Sequence, residues 1–370
     1  MMLSTDILVI GAGIAGAGLA AAIDGRCDVI LLEKEARPGH HSTGRSAAIF
    51  IQNYGNAVIR ALSAASRPLF ETMEANVFAT PLLSPRGILF VAGEEDRSAH
   101  ALLLGESQGL VPISADEAVA MVPLLRREGI VAAAFERDAS DIDVNTLHQG
   151  YLRKARRAGA RLVVNAAMLG ARRAGGRWTA ETTIGAIDAA VIVNAAGAWA
   201  DEVAQTSGVA PKGLVPKRRS MAVLPCPPGY DCHAWPLVSN SGDRWYFKPD
   251  AGRLLVSPSE EDPVAPHDAF VDDMTLAEGI DRYQRAVRED VTHIQASWAG
   301  LRTFAPDAIP VVGHDRDADG FFWLAGQGGY GIQTAPALSA IAAALVLGET
   351  PGLGVDHGAM APYRPGLRAG

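Results

Sequence analysis

Cysteine is scarce in this chain of 370 residues: Cys27, Cys226 and Cys232 are odd in number and too few for a disulfide framework, which points to a reducing compartment. A structural zinc site is also missing, because Cys226 and Cys232-His233 do not supply two ligand pairs at zinc spacing. His40-His41 lack sequence partners at ligand spacing, so no metal is expected. There is no excess of positive charge. The 33 basic and 41 acidic residues leave a net charge of -8, which discourages a nucleic-acid partner. Arg153, Lys154, Arg156, Arg157 and Arg161 form a local basic cluster that reads as a solvated helix face. No apolar run suits a bilayer. Residues 7–23 are uncharged but follow Asp6 rather than a basic segment and are broken by glycines, and the run 335–347 stops at Gly348. The expectation is a cytoplasmic protein with no integral membrane segment. Internal repeats and low-complexity linkers are absent too, so the two domains that this length suggests are expected to interleave.

What is present begins at once. Asp6-Ile7-Leu8-Val9-Ile10 reads as a buried parallel strand that runs into Gly11-Ala12-Gly13-Ile14-Ala15-Gly16, a G-x-G-x-x-G turn. A helix over Ile14 to Asp24 follows, stopped by Gly25, and then a second apolar strand, Val29-Ile30-Leu31-Leu32, closes on Glu33. In such a unit the first glycine makes the tight turn and the second lets backbone approach a pyrophosphate, while the third lets helix pack on strand. The anion rests on the helix N-terminus. Glu33, placed to accept both hydroxyls of an adenosine ribose, argues against a 2'-phosphate and hence against NADP.

Two later segments repeat the strand-to-glycine theme: Val191-Ile-Val-Asn-Ala-Ala-Gly197-Ala-Trp199 and Phe321-Phe-Trp-Leu-Ala-Gly326-Gln-Gly-Gly-Tyr-Gly331. Three such turns can converge on one extended ligand, for which a nicotinamide dinucleotide alone offers too little. Between them, helices are expected near 57–75, within 94–126 and after Asp143 as N-cap, with strands near 87–92 and 161–164 and a meander over 172–189. Pro336 is tolerated only in the first turn of the last helix.

Together with Trp298-Ala-Gly-Leu-Arg302 and Pro306-Asp307, these turns resemble the D-amino acid oxidase (DAO) superfamily of FAD-dependent oxidoreductases. Within it the chain looks most like the D-arginine dehydrogenase type. The supporting runs are Gly39-x-His41-Ser-Thr-Gly-Arg-Ser-Ala-Ala48, Leu82-Leu-Ser-Pro-Arg86, Leu147-His-Gln-Gly-Tyr-Leu-Arg153, Val193-Asn-Ala-Ala-Gly-Ala-Trp199, Pro216-Lys-Arg-Arg-Ser220, Lys248-Pro-Asp-Ala-Gly252 and Gln327-Gly-Gly-Tyr-Gly-Ile-Gln-Thr334. The implied fold is α/β: a Rossmann-like FAD-binding domain over 1–83, 144–215 and 303–370, interleaved with an α+β substrate domain over 84–143 and 216–302 that carries a mixed or antiparallel sheet.

The resemblance implies non-covalent FAD and oxidative deamination of a D-amino acid, with hydride passing from Cα to flavin N5 and the imino acid hydrolysing to a 2-oxo acid and ammonia. The electron acceptor would be a quinone or oxygen. It assigns the cofactor to Gly11, Gly13, Ile14, Ala15, Gly16, Glu33 and Lys34, to His41, Ser42, Thr43, Arg45, Ser46, Ala47 and Ala48, and to Ala196, Gly197 and Trp199. Gly300 and Arg302 join them, as do Gly328, Gly329, Tyr330, Gly331, Ile332 and Gln333. Residues 330–334 are expected to begin the last helix and to lend its positive end to the flavin. Arg219 and Arg302 are expected to clamp the substrate carboxylate, since a planar guanidinium does this better than an ammonium. Tyr246 would add a hydroxyl and Tyr54 would cover the substrate side. Arg302 could instead pair with Asp307, and Arg218 is expected to face solvent. No side chain needs to be a strong base if the amine arrives neutral.

The chain departs from the D-arginine-directed pattern. Where those relatives carry a carboxylate after Leu-Leu-Ser-Pro-Arg, it has Gly87-Ile88-Leu89, and it has Ile49 in place of a histidine. A cationic side chain there would lose its hydration without compensation. A pocket of Ile49, Ile88, Tyr54, Tyr246 and Gln333 is therefore expected to prefer hydrophobic D-amino acids, unless Glu260 or Glu261 restores a negative charge. Alternatives are an enzyme for secondary amines such as N-methyl amino acids or proline, one for 2-hydroxy acids, or a flavin-binding regulatory module without turnover.

Overall fold

The apolar run of the first strand is buried on both faces, as only a central parallel strand is. In the computed structural model, which describes residues 3–78 and 81–367, strand Leu3–Ile10 lies between Val29–Leu32 and Gly185–Asn194, parallel to both. Val9 pairs with Leu31 on one side and Val193 on the other. The eight-stranded sheet continues through Arg161–Val163 at one edge and the antiparallel strands Arg177–Thr182 and Met168–Ala174 at the other. Phe321–Ala325 adds in parallel to the end of Gly185–Asn194. All three glycine turns therefore leave the carboxyl ends of neighbouring parallel strands. In an open α/β sheet that is where a ligand crevice forms.

One face of this sheet packs against helices Ile14–Ile23, Val144–Arg157 and Ala335–Val346, the other against helix Ala200–Thr206, in a core that also buries the sheet's own Trp178 and Trp323. The first helix is shorter than expected because Asp24, in the left-handed region at φ 52°, already caps it. The helix after Ala57 likewise stops at Glu71. Pro336 does lie in the first turn of its helix. Arg161 belongs to a strand rather than to the basic helix face, where Lys154 pairs with Glu74.

A nine-stranded sheet supplies the other wall of the crevice. Its long pair, Val215–Pro225 and Ala296–Phe304, runs antiparallel with Arg219 opposite Gly300 and Lys217 opposite Arg302. Strand Tyr246–Asp250 and strand Ile88–Ala92 lie further along the same sheet. A small third sheet of Ile49–Phe50, Leu83–Pro85 and Ser140–Ile142 ties the two together, with Asp141 bonded to both Arg86 and Lys248. The expected domain limits at residues 1 and 370 lie outside the described residues. The three cysteines are free thiols, and among the described residues no helix is long and apolar enough to cross a membrane.

Candidate functional site

The first glycine turn is as tight as its spacing demands. Gly11 sits at φ 100°, and a Cβ there would meet the Ala195 carbonyl oxygen at 2.5 Å. A Cβ on Gly16 would lie 2.0 Å from the Gly11 carbonyl oxygen, so Gly16 serves helix-on-strand packing and does not itself line a cleft. At Gly13 the nearest atom is only a side-chain oxygen, Thr43 Oγ1, at 3.2 Å. That oxygen accepts the Ile14 N–H at 3.0 Å, satisfying one free donor of the helix start.

Beside this turn opens a cleft of about 1000 Å³ lined by Gly11, Glu33, Lys34, His41, Ala196 and Trp199. Glu33 lines the cleft and is buried, its two oxygens accepting the N–H groups of Ala12 (3.1 Å) and Glu35 (3.0 Å), which leaves each oxygen capacity to accept a further bond. Lys34 Nζ stands 3.2 Å from the centre of the Trp199 ring, and His41 packs on the same ring at 4.6 Å. Burial pulls the Lys34 and His41 pKa values down.

A second cleft, of about 950 Å³, continues from the first through the shared residues Gly13, Ser42, Thr43, Ala195 and Gly197. It is lined by Ile14, Ala15, Arg45, Ser46, Ala47, Gly300, Arg302, Gly328, Gly329, Gly331 and Ile332. The loop from Gly39 to Ser46 closes on itself through Gly44 N–H to Gly39 O. It is sewn to the opposite sheet by Ser42 Oγ to Leu301 O at 2.6 Å and Trp298 Nε1 to Arg45 O at 3.0 Å. Arg45 adds bonds to the carbonyls of Ala269 and Ala299 and to Asp268. Two contiguous clefts, one on a dinucleotide turn and one walled by glycine backbone, fit an extended dinucleotide whose ring system lies beyond its pyrophosphate. Residues 330–334 form a turn that leads into the last helix, which begins at Ala335 rather than at Tyr330.

The third cleft, of about 710 Å³, meets the second at Ser46, Ala47, Tyr246, Arg302, Gly329 and Ile332. Its walls are Ala48, Ile49, Ile51, Tyr54, Ile88, Phe90, Leu237 and Gln333, with Ser239 and Asp243 as added polar groups. Ala48, assigned to the cofactor by resemblance, and Gln333, assigned both to the cofactor and to the substrate pocket, line this cleft. Gln333 is pinned by Ile51 N–H and Ser63 Oγ. Buried Glu136 accepts from Gln52 N–H and Asn53 Nδ2, which fixes the chain just before Tyr54. Tyr330 lines none of the three clefts; its ring packs on those of Tyr54 and Phe304.

The two arginines differ in a way their spacing does not show. Arg219 is buried and already engaged: Nη2 donates to Glu261 at 3.2 Å, and Asp243 lies 3.9 Å from Nη1. Its Nε and Nη1 have no hydrogen-bond partner. Arg302, at the junction of the second and third clefts, has Tyr54 Oη at 3.4 Å and, among the described residues, no carboxylate at ion-pair distance. Burial works against its charge, but the oxygens of Tyr54, Tyr246 and Asp243 more than offset that. Asp307, the alternative partner, is held by Arg364 instead, at 2.7 and 2.9 Å. Arg218 does not face solvent; its side chain is 12% exposed and pairs with Asp262.

Neither Glu260 nor Glu261 lines the substrate-side cleft. Glu261 is taken by Lys217 and Arg219, and burial pushes the Glu260 carboxyl up. The carboxylate that reaches the cleft is Asp243, which sequence reasoning missed. Its signal was the turn-forming run Asn240-Ser-Gly-Asp243 just before Tyr246. Also unforeseen is the approach of Asp268 to His40 and His41, whose donor atoms lie within 4.8 Å of one another although the sequence offered those histidines no partner.

A family model described as FAD dependent oxidoreductase matches residues 6–345. Human mitochondrial dimethylglycine dehydrogenase is 24% identical over 355 residues, covering 88% of this chain and 40% of that protein. The chain spans about a third to a half of the length of the curated relatives it matches. Glycine oxidase from Geobacillus kaustophilus superposes with a TM-score of 0.85 at 21% identity over 98% of this chain and 99% of that one. L-proline dehydrogenase from P. horikoshii gives 0.84 at 21% identity over 98% of each.

Proposed function

Because this chain belongs to the DAO family of FAD-dependent oxidoreductases, we propose that it oxidises the Cα–N bond of a D-amino acid with an apolar side chain, giving a 2-oxo acid and ammonia after hydrolysis of the imino acid. The observation that carries this reading is Arg302, a guanidinium with no carboxylate at ion-pair distance among the described residues, where the glycine-walled cleft opens into the apolar one. A substrate carboxylate completes its hydrogen bonding, and Tyr54 and Tyr246 stand beside it to orient that group. The side chain then falls among Ile49, Ile51, Ile88, Phe90 and Leu237, which supply burial and no charge.

Non-covalent FAD supplies the two-electron acceptor. Its adenosine half belongs in the cleft of Glu33, Lys34 and Trp199, and its ring system between the Ser42–Ala47 loop and the Gly328–Ile332 turn. The cofactor region follows the eight-stranded sheet (1–83, 144–215, 303–370) and the substrate region the nine-stranded one (84–143, 216–302). The D configuration rests on the sequence runs shared with the D-arginine dehydrogenase type, and a cytoplasmic location on the small cysteine count. The electron acceptor under this reading is a quinone or oxygen.

A second reading, oxidation of a secondary amine such as an N-methyl amino acid or proline, is favoured by the likeness to proteins named dimethylglycine dehydrogenase and L-proline dehydrogenase. Such substrates offer Arg302 the same carboxylate. Anaerobic bleaching of the flavin by D- and L-amino acids, N-methyl amino acids, proline and 2-hydroxy acids separates the two. Rapid reduction by D-leucine or D-methionine, with slow reduction by D-arginine, supports the first reading. Reduction confined to secondary amines establishes the second, and a spectrum that nothing bleaches leaves a flavin-binding module.

A further inference from the structure

We propose that Asp243 receives the substrate's amino group and accepts the proton that an incoming ammonium must shed. The inference rests on the amine-oxidising reading above. Asp243 sits at the tip of the hairpin that joins strands Leu237–Asn240 and Tyr246–Asp250, and it lines the same cleft as Arg302, Tyr54 and Tyr246. Its backbone is held at φ 50° by Asp243 N–H to Asn240 O, while Asn240 Oδ1 accepts from Gly242 and Arg244. Asn240 is in turn fixed by Asp96, which also binds Arg244. A left-handed aspartate braced by three other residues is a placed carboxylate rather than a loose surface group.

The charges around it are uneven. Glu261 is shared between Lys217 and Arg219, whereas Asp243 stands 3.9 Å from Arg219, beyond hydrogen-bond reach. The groups that bear on it are the Arg219 and Arg302 guanidiniums, the Glu261 carboxylate and the hydroxyls of Ser259, Tyr54 and Tyr330. Partial burial in the cleft raises its carboxyl pKa, and the Arg219 and Arg302 guanidiniums restrain the rise. A zwitterion thus meets, among the described residues, a cation without a carboxylate at ion-pair distance at Arg302 and, at Asp243, an anion that faces Arg219 at 3.9 Å without a hydrogen bond to it.

The step balances. One N–H bond of the ammonium breaks, an O–H bond forms on Asp243, and the amine nitrogen keeps the electron pair needed when hydride leaves Cα. With 54% of its side-chain surface open, Asp243 can return the proton to water.

The test compares the wild-type holoenzyme with Asp243→Asn and Asp243→Glu, using the amino acid that reduces wild-type flavin fastest and its deaminated carboxylic acid. Asparagine tolerates the same backbone region, so the fold is kept. In D243N the acid limb of the flavin-reduction rate should move up toward the ionisation of the free substrate ammonium. Reduction should be about tenfold or more slower at neutral pH and recover in alkaline buffer, with partial retention in D243E. The carboxylic acid, read by its perturbation of the flavin spectrum, should bind D243N as tightly as wild type or more so. Wild-type flavin reduced normally while D243N keeps the wild-type pH profile overturns this inference alone. A wild-type flavin that no amino acid reduces overturns the amine-oxidising reading and this inference with it.

Discussion

Arg302 Nη1 lies 3.4 Å from Tyr54 Oη, and this neutral hydroxyl stands where a structural arginine would carry a carboxylate. A cation kept from bulk water without an ion-pair partner destabilises a fold unless something else completes it. The oxygens of Tyr54, Tyr246 and Asp243 offset the burial of this charge although no carboxylate among the described residues pairs with it, so replacing it with an unbranched apolar chain should change stability little. Arg302→Met is expected to leave the thermal midpoint measured without substrate close to wild type, while kcat/KM falls about a hundredfold or more, roughly 3 kcal/mol, as for truncation of a charge-paired contact. A lowered midpoint together with preserved kcat/KM would show that Arg302 is structural.

Tyr246 shares both the cofactor-side and substrate-side clefts with Arg302, but its hydroxyl can only help to orient a carboxylate that a guanidinium already holds. Tyr246→Phe should lower kcat/KM by about tenfold, in keeping with loss of one hydrogen bond to a charged group. Steady-state kinetics decide this. A loss as complete as that of removing the flavin would make Tyr246 indispensable to the chemistry.

The cofactor half of the site was largely legible because its physics is local. Gly11 needs a left-handed turn, Gly16 a missing Cβ, and Glu33 a strand end, and each requirement leaves a mark at fixed spacing. The substrate half is built by contacts between distant segments. Arg219 and Arg302 look alike as residues, yet Glu261 and Asp243, 42 and 24 positions beyond Arg219, make one paired and leave the other free. Asp307 sits close to Arg302 in sequence but is claimed by Arg364, 57 residues away. No periodicity encodes such pairings, which is why Asp243 went unseen and Arg218 was misplaced at the surface.

The glycines of the first turn should separate by assay. In Gly16→Ala the new methyl would press on the Gly11 carbonyl at 2.0 Å, backbone against which nothing can yield cheaply. Overpacking of this kind costs roughly 1–3 kcal/mol, so both the thermal midpoint and FAD retention should fall. In Gly13→Ala the nearest obstacle is Thr43 Oγ1 at 3.2 Å, so the midpoint of the cofactor-free protein should barely move. Its FAD affinity should still drop, because the methyl occupies backbone that the pyrophosphate approaches. Equal loss of stability in the two variants would contradict these separate roles.

His148 gives the cofactor turn a dependence on acid. Its Nε2 lies 2.8 Å from the Ala12 carbonyl oxygen, inside the G-x-G-x-x-G turn, so the neutral ring donates there; a Cβ on Gly39 would meet the ring at 2.9 Å. Burial is the main cause of a pKa below the ordinary histidine value. The folded state thus binds a proton less readily than the unfolded chain, and its stability is complete above the unfolded pKa. As pH falls through that value toward the folded one, the unfolded chain gains protons that the folded protein does not, and stability declines. Thermal midpoint and FAD retention should both fall as pH drops below about 6.5, the unperturbed histidine value. His41, His100 and His314 are also pushed down by burial and add to the same slope, so one substitution should reduce it rather than abolish it. His148→Gln can still donate to Ala12 O without titrating. It should flatten both curves by about one proton's worth, and a slope unchanged from wild type would place the acid sensitivity on the other histidines.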